Sequence, residues 1–379
     1  MKTVLKVSDP VGEYGKLRSE LQDALLQVLA SGNYVQGPAI KDLEENVARR
    51  CGVRYGISTA SGTMALIVGL QAMGIGPGDE VIAPAYTAIS TTAAITHSGA
   101  SIVLADILPE TLTIDPDDVA RHITARTRAI IPVHLHGMLA DMDALRAIAE
   151  RHGLLLLEDA ALALGAEYHG RAAGSLGDAA VVSFAPSKIL GGVGWGGILV
   201  TNSAALARRA RQLAGFGPIS APVSLQAETE PQLEGYNAQL GTLQAAALSV
   251  KLPYVDQWLS RRRAIATRLN AVCDRLGVER LQPAPATRPS YRAYVVLVPY
   301  REEVKLRLRQ LGIEADAHFA PALHLRRVYA RLHYAPGRFP VAERLTERIL
   351  CLPCHPHLSD EDVERMADAL ESVALTVVG

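Results

Sequence analysis

Up to about residue 205, short runs of apolar residues alternate with longer stretches that have the apolar spacing of helices. The runs predict strands at Tyr55–Ser58, Glu80–Ala83, Ser101–Asp106, Ala129–His134, Leu154–Glu158, Ala180–Ser183 and Gly197–Thr201. The stretches between them predict helices, among them Thr63–Met73, Thr87–Ser98, Pro116–His122 and Met142–His152. Nearly continuous apolar strands that alternate with helices are typical of parallel sheets covered on both faces. The sequence therefore predicts an α/β fold with a large, mostly parallel sheet.

The remainder of the chain has a different pattern. Residues 215–235 are rich in Gly, Pro and Ser and show no period. A long helical stretch follows at about Ala238–Leu276, and we expect a break near Pro253 because proline removes a helical hydrogen bond. Beyond it, further elements are predicted at Tyr294–Val298 (strand), Glu302–Leu311 and Asp360–Val373 (helices). These divide the chain into a large domain, residues 1–250, and a smaller α/β domain, residues 251–379.

Composition narrows the class of protein. The chain has 379 residues, of which 49% are hydrophobic, so it can bury a large core. A net charge of −1 gives no basic surface for nucleic acid and no attraction to anionic membranes. No basic start with an apolar run marks a signal peptide, and the longest uncharged stretch, Val81–Ala105, is interrupted by Pro84 and Gly99. We therefore expect a cytoplasmic protein that acts on small molecules.

Two strand ends carry an acid and an amine. The strand that begins at Leu154 ends in Asp159, and the next strand, from Val181, leads through a loop to Lys188. Lys188 is the one lysine between Lys41 and Lys251. Ligands of parallel sheets bind at the carboxyl ends of the strands. An aspartate and a lysine there suit pyridoxal phosphate: the amine forms a Schiff base and moves a proton, while the acid keeps the pyridine nitrogen protonated.

A phosphate site is expected nearby. The segment Ala60–Met64 joins a predicted strand to a predicted helix, whose first backbone N–H groups can hold a phosphate. Each feature has a simpler explanation, because Ser-Gly-Thr caps helices, strand-end acids form turns and loop lysines are commonly solvated. The ordered set of three is what indicates pyridoxal phosphate.

Two other groups of residues could suggest metal binding. Cys351 and Cys354 form a C-x-x-C, but no second pair exists and the apolar residues around them read as a buried strand. His134 and His136 alternate at a strand end, with no third ligand apparent in the sequence. We interpret all four residues as structural or pocket-lining and expect no metal.

A series of motifs resembles the DegT/DnrJ/EryC1/StrS family of sugar aminotransferases over nearly the whole chain. The resemblance implies fold type I, the aspartate aminotransferase-like fold of pyridoxal-phosphate enzymes. The matching segments are Ser31–Pro38, Ala60–Leu66, Gly76–Pro84, Pro132–Gly137, Glu158–Ala161, Gly165–Ala166, Gly174–Asp178, Ser183–Lys188, Gly196–Gly197, Gly235–Asn237, Leu243–Ala246, His318–His324 and Leu352–Pro356.

The resemblance also implies roles for individual residues. Lys188 would be the Schiff-base lysine and Asp159 the partner of the pyridinium nitrogen. The residues implied to hold the phosphate are Gly62, Thr63, Ser183 and, from the neighbouring subunit, Asn237. That last role implies a homodimer with shared active sites. The residues expected to face the substrate are Tyr34, His324 and Arg326, with Arg327 beside them as a second candidate for acceptor phosphates.

Four positions depart from the family pattern. Leu162 replaces a glutamine that contacts the cofactor's phenolic oxygen, and Ala88 replaces the stacking aromatic, for which Tyr86 is a possible substitute. Trp195 replaces an acid between glycines, and Gln239 replaces an arginine. None of these changes removes a group that transamination requires. We interpret them as a reshaped, less polar pocket.

The function implied is an aminotransferase that moves nitrogen from glutamate or glutamine to a keto sugar or keto cyclitol in a biosynthetic pathway. One alternative keeps the cofactor but changes the reaction to an elimination or decarboxylation of a non-sugar substrate. Another is a non-catalytic regulator on the same fold. Retention of Lys188 and Asp159 argues against the regulator, which has no chemical need for either residue.

Overall fold

A computed structural model describes residues 4–215 and 233–377. In these residues the helices are α1 (Pro10–Ser31), α2 (Pro38–Arg50), α3 (Gly62–Ala72), α4 (Ile89–His97), α5 (Pro116–Arg121), α6 (Met142–His152), α7 (Ala204–Gly215), α8 (Thr242–Lys251), α9 (Val255–Leu276), α10 (Arg301–Gln310), α11 (Pro340–Thr346) and α12 (Asp360–Val377). The strands are β1 (Tyr55–Thr59), β2 (Glu80–Pro84), β3 (Ser101–Ala105), β4 (Thr127–Ile130), β5 (Leu155–Asp159), β6 (Glu167–Tyr168), β7 (Arg171–Ala172), β8 (Ala179–Ser183), β9 (Gly197–Thr201), β10 (Glu279–Arg280), β11 (Thr287–Arg288), β12 (Tyr294–Leu297) and β13 (Ile349–Leu352).

The main sheet has seven strands in the order β1-β9-β8-β5-β4-β2-β3. The pairs from β8 across to β3 are parallel, whereas β9 runs antiparallel to both β1 and β8. Strands β2, β8 and β9 are buried along their whole length, as expected for a sheet with helices on both faces. The predicted α/β fold with a mostly parallel sheet is confirmed.

The element boundaries agree with the sequence in most places. The helix Met142–His152 has the predicted ends, and the long helical stretch is interrupted at Leu252–Tyr254, where Pro253 lies. The strand predicted at Ala129–His134 instead ends at Ile130, before Pro132. Helices α1 and α2 were not predicted from the sequence. Most of the loop predicted at 215–235, residues 216–232, lies outside the described residues.

The C-terminal part is built on a second sheet, with the order β10-β12-β13 and antiparallel pairing. Its core contains apolar residues of α9, α10 and α12, together with Leu5 from the other end of the chain. The Leu5 amide donates to the Gly312 carbonyl (2.9 Å), and the Glu314 amide donates to the Leu5 carbonyl (2.9 Å). The start of the chain therefore pairs with the C-terminal part, although the predicted division at residue 250 assigns it to the large domain.

None of the helices in residues 4–215 and 233–377 is both long and apolar enough to cross a membrane.

Candidate active site

A cavity lies where the carboxyl ends of β5 and β8 meet the N-terminus of α3. Asp159 ends β5, Ser183 ends β8 and Gly62 begins α3. The side chains and backbone of these elements come together because parallel strands end at one edge of the sheet. The cavity is lined by Ser61, Gly62, Thr63, Leu66, Thr87, Ala88, Ser90, Val133, Leu135, Asp159, Ala161, Leu162, Val181, Ser183, Ala185, Ser187, Lys188, Trp195 and Phe319. We call it the cofactor cavity.

Asp159 is a buried carboxylate with few internal partners. Its Oδ2 accepts a hydrogen bond from the Thr91 hydroxyl (2.8 Å), and its Oδ1 accepts one from the Ala161 amide (3.2 Å). Burial raises the pKa of Asp159 above its usual value, although these bonds and the charge of Lys188 oppose the rise. A buried acid of this kind is stabilised by a cation, and a protonated ring nitrogen can supply one.

Lys188 lies in the loop after β8, on the wall of the same cavity. Burial, reinforced by the charge of Arg292, lowers the pKa of Lys188 to about 8, and Asp159 opposes that shift. A free lysine has a pKa of about 10.4, so a much larger fraction of Lys188 is neutral near neutral pH. The neutral amine is the nucleophilic form, which is what covalent capture of an aldehyde requires.

The N-terminus of α3 forms an anion-binding cradle. The Ser61 hydroxyl caps the helix by accepting from the Met64 amide (3.1 Å), while Gly62, Thr63 and Ser183 line the cavity. A Cβ on Gly62 would lie 3.0 Å from the Cβ of Ser183, so glycine is needed for this close approach. Free amide groups at a helix N-terminus favour a phosphate.

Three of the four departures from the family pattern lie on this cavity. Ala88, Leu162 and Trp195 line it, and Trp195 is 73% exposed. Gln239 lines a separate cavity, where its side-chain oxygen accepts from Gln36 (3.3 Å). The less polar pocket predicted from the sequence thus rests on the first three residues.

The structure does not bring Tyr86 to the cofactor cavity. Tyr86 is fully buried, and its hydroxyl donates to the His318 carbonyl (2.6 Å). The aromatic side chain that does line the cavity is Phe319, which packs edge-on against Tyr86. Phe319 was not predicted from the sequence as a cavity residue, because it lies far along the chain from both Asp159 and Lys188.

The residues expected to face the substrate are placed elsewhere. His324 is buried against Phe339, and its Nε2 lies 2.8 Å from Glu343 Oε1. The Arg326 guanidinium donates to the carbonyls of Phe319, Ala320 and Pro321, so it fixes the conformation of its own loop. The role of Arg326 toward an acceptor stays a prediction, and in this structure its guanidinium bonds to its own loop rather than lining the cofactor cavity.

Tyr34 and Asn237 are exposed, and neither residue lines the cofactor cavity. The two segments are neighbours, because the Thr242 amide donates to the Tyr34 carbonyl (2.9 Å) and Val35 bridges to Gly241. The Ala60 amide also donates to the Ala238 carbonyl (2.7 Å), so the chain next to Asn237 runs beside the start of the α3 cradle.

The histidines named in the sequence analysis have different environments. His134 Nε2 lies 3.0 Å from Glu158, whose carboxylate also accepts from the amides of Gly174, Leu176 and Gly177, so this pair is structural. His136 instead belongs to a buried cluster with His318 and Cys351, whose ligand atoms lie within 4.8 Å of one another.

The histidine–cysteine cluster is poorly suited to a cation. Burial raises the pKa of the Cys351 thiol to about 12, and thiolate is the form that binds metals. Burial and the charge of Arg292 lower the pKa of His318, and the same charge repels a cation at the cluster. Cys354 does not face the cluster but donates to the Arg262 carbonyl (3.7 Å). His136 therefore has two further possible ligands, His318 and Cys351, which were not apparent in the sequence. The positive charge of Arg292 lies close to them.

The residues of the cavity fit pyridoxal phosphate. A buried acid, an amine with a lowered pKa and a helix N-terminus surround one space, and these are the groups that the ring nitrogen, the aldehyde and the phosphate require. The fold and the site together define a pyridoxal-phosphate enzyme of the aminotransferase class.

Comparison with known proteins agrees with this class. Residues 16–371 match the DegT/DnrJ/EryC1/StrS aminotransferase family, and the chain belongs to that family. It is 39% identical over 365 residues to the pleiotropic regulatory protein of Geobacillus stearothermophilus, covering 94% of this chain and 96% of that protein. It is 38% identical over 362 residues to dTDP-3-amino-3,4,6-trideoxy-alpha-D-glucose transaminase of Streptomyces venezuelae, covering 95% of this chain and 94% of that enzyme.

Solved structures give the same result. The crystal structure of S. venezuelae DesV in complex with a ketimine intermediate superposes with a TM-score of 0.94 at 37% identity, covering 98% of this chain and 99% of that one. The family, the fold type I architecture, the aminotransferase activity and the pyridoxal-phosphate cofactor, all predicted from the sequence, are confirmed.

Proposed function

We propose that this protein transfers an amino group from an amino acid, glutamate or glutamine, to the keto group of a sugar, which a nucleoside diphosphate carries. The observation that supports this most is the placement of Lys188 and Asp159 on one cavity with the α3 cradle. The names of several relatives, which include dTDP- and UDP-amino-sugar transaminases, support a nucleotide-linked keto sugar as the acceptor. The proposal also includes a keto cyclitol as the acceptor. We propose that the protein acts in the cytoplasm.

In this proposal each residue has a defined task. When bound, pyridoxal phosphate supplies the electron sink that makes a carbon–hydrogen bond of an amino acid acidic. Asp159 would keep the proton on the ring nitrogen, and Gly62, Thr63 and Ser183 would hold the phosphate. The Lys188 amine would hold the cofactor by its aldehyde carbon and would move the proton at the reacting carbon of the substrate. Leu162 and Phe319 restrict water at the reacting carbon.

The alternatives from the sequence analysis lose support. An elimination or decarboxylation would need no acceptor, whereas the relatives named for their chemistry are transaminases. One relative is named as a regulatory protein, but a purely regulatory role gives no reason for the lowered pKa of the Lys188 amine in a cavity beside a buried acid.

The test is a two-stage assay with purified enzyme. Glutamate and glutamine are first used to convert the cofactor to its amine form, which is followed by absorbance. The aminated enzyme is then mixed with nucleotide-linked keto sugars, free keto sugars, a keto cyclitol and keto acids. We expect rapid return of the original spectrum with a nucleotide-linked keto sugar. Return with simple keto acids alone would contradict the proposed acceptor class.

We also propose that two copies form a dimer in which Asn237 of each chain contacts the phosphate bound by the other. Asn237 is exposed and absent from its own chain's cavity, which supports a role across an interface. Trp195, Val193, Tyr34 and Val35 are exposed apolar or aromatic residues, and a second subunit would cover such residues.

Subunit mixing tests the shared site. Lys188→Ala and Asn237→Asp dimers should each be inactive, since the first lacks the amine and the second repels the phosphate. In a hybrid dimer, one of the two sites carries neither change, so random mixing should restore about a quarter of wild-type activity. Activity should be measured alongside mass analysis of the dimers. Hybrids that form but remain inactive would place Asn237 and Lys188 in the same subunit's site.

A further inference from the structure

A second cavity also borders Lys188. It is lined by His136, Leu162, Ser187, Lys188, Arg292, Ala293, Asp316, Ala317, His318 and Phe319. Leu162, Ser187, Lys188 and Phe319 also line the cofactor cavity, so the two spaces meet at the reactive amine. We call this second space the Arg292 cavity.

Arg292 is a buried cation with no acidic partner among the described residues. The residue is 6% exposed, and its Nε is buried without a hydrogen-bond acceptor. The one acid on the cavity wall, Asp316, is engaged elsewhere: its Oδ1 accepts from Lys305 (3.2 Å) and from the Ala317 amide (2.9 Å). An unpaired buried charge is costly, and proteins commonly pair such a charge or use it for a ligand.

The surroundings of Arg292 add positive charge rather than cancel it. Arg262 is buried beside it and donates to the carbonyls of Tyr291, Arg292 and Cys354. Burial and the charge of Arg262 lower the pKa of Arg292 to about 10, so the guanidinium is still protonated at neutral pH. One terminal nitrogen of Arg262 thus bonds to backbone carbonyls, whereas no side-chain acceptor or carbonyl among the described residues bonds to Arg292; the Nε of each arginine is buried without an acceptor.

We propose that Arg292 binds a substrate carboxylate in this cavity, next to Lys188. The inference rests on the proposed function in one respect, namely that the substrates react at Lys188. The planar fork of a guanidinium matches the two oxygens of a carboxylate and makes paired, charge-assisted hydrogen bonds with it.

The position of the cavity explains what such a contact does. An amino acid carries its carboxylate on the carbon that loses the proton, so an anion fixed beside Lys188 orients that carbon toward the amine. An acceptor sugar that bears a carboxylate would use the same residue. Both sources present the same chemistry to Arg292, and separate half-reactions distinguish them.

Equilibrium binding gives a test that does not depend on turnover. The probe is glutarate, a dicarboxylate without an amino or keto group, titrated calorimetrically into the cofactor-loaded enzyme. Arg292→Gln should weaken glutarate binding roughly 30- to 150-fold, the effect of losing charge-assisted hydrogen bonds. Arg292→Lys should recover part of the affinity because it keeps the charge but not the fork. The neutral analogue glutaramide should bind wild type and variants alike.

Unfolding measurements separate binding from structure. No described acidic group or buried acceptor depends on the Arg292 guanidinium, so Arg292→Gln should leave the thermal midpoint of the protein unchanged or higher. A residue with a structural role would give the reverse, with a lower midpoint and unchanged glutarate affinity. That outcome would overturn the proposal, as would equal affinity of the wild-type enzyme for glutarate and glutaramide.

The half-reactions then identify the source of the carboxylate. If it belongs to the amino donor, Arg292→Gln slows the reaction with glutamate and leaves amination of a neutral keto sugar unchanged. If it belongs to the acceptor, amination of a carboxylate-bearing keto sugar slows and the donor reaction does not. Wild-type rates in both would contradict the proposal. Glutarate binding remains measurable even if no keto sugar is accepted. Failure of the proposed function can therefore be distinguished from failure of the proposed role of Arg292.

Discussion

Replacing Lys188 with alanine is expected to lower kcat by at least about 10⁴-fold, because the lost group acts covalently and as the proton carrier. Lys188→Arg should be equally inactive, since it keeps a positive charge but offers no neutral amine near pH 8. Both variants should fold, because Lys188 lines a cavity and packs against no core. The measurement is turnover with a productive donor and acceptor, normalised to folded protein.

Lys41→Ala is the matched control for these variants. Lys41 lies on α2, and its side chain is 77% exposed in a pair with Glu45. Removing it should leave kcat within error of wild type. If Lys188→Ala retained more than about a hundredth of wild-type turnover, the proton carrier would have to be another group.

Replacing Asp159 with asparagine is expected to lower kcat by about 10³-fold or more, the equivalent of roughly 4 kcal/mol in the barrier. Asparagine is neutral and cannot hold the proton on the ring nitrogen, so the electron sink is weakened. The cradle at α3 and the Lys188 amine are unchanged, and the variant should therefore still bind cofactor. Cofactor content and turnover are measured on the same preparation.

The cofactor-free Asp159→Asn protein should be no less stable than wild type. The Thr91 hydroxyl and the Ala161 amide can both bond to asparagine, and burial already raises the pKa of the native acid. Asp106→Asn is a useful contrast, because the buried Asp106 accepts from the amides of Val341 and Ala342. That variant should lose stability but keep the turnover of its folded fraction. Normal turnover in Asp159→Asn would place the electron-sink partner elsewhere.

The sequence predicted the parts of the site that depend on local order along the chain. Asp159 and Lys188 each follow an apolar strand, and Gly62 begins a helix after another strand. In a parallel sheet those strand ends meet at one edge, so their assembly followed from the pattern alone. Leu162, Ala88 and Trp195 were predicted to shape the pocket from the resemblance to the family, and all three line the cavity.

Contacts between distant segments could not be predicted in this way. His324 is paired with Glu343, and Arg326 is committed to loop carbonyls, although both looked available for a substrate. Arg292 had no distinguishing neighbour in the sequence, because its isolation arises from packing between β12, α9 and the Lys188 loop. The sequence shows which residues are charged, but only the fold shows which charges lack partners.

The most direct test of the central claim is to find which lysine carries the cofactor. The purified enzyme is reduced with borohydride, digested, and mapped by mass spectrometry. We expect the pyridoxyl group on Lys188 alone. Lys251, the next lysine along the chain, is buried, and its Nζ lies 2.5 Å from Glu13 Oε1 and 2.7 Å from the Gly191 carbonyl, so its amine is already engaged. A pyridoxyl group on Lys251, or on any lysine other than Lys188, would contradict the account.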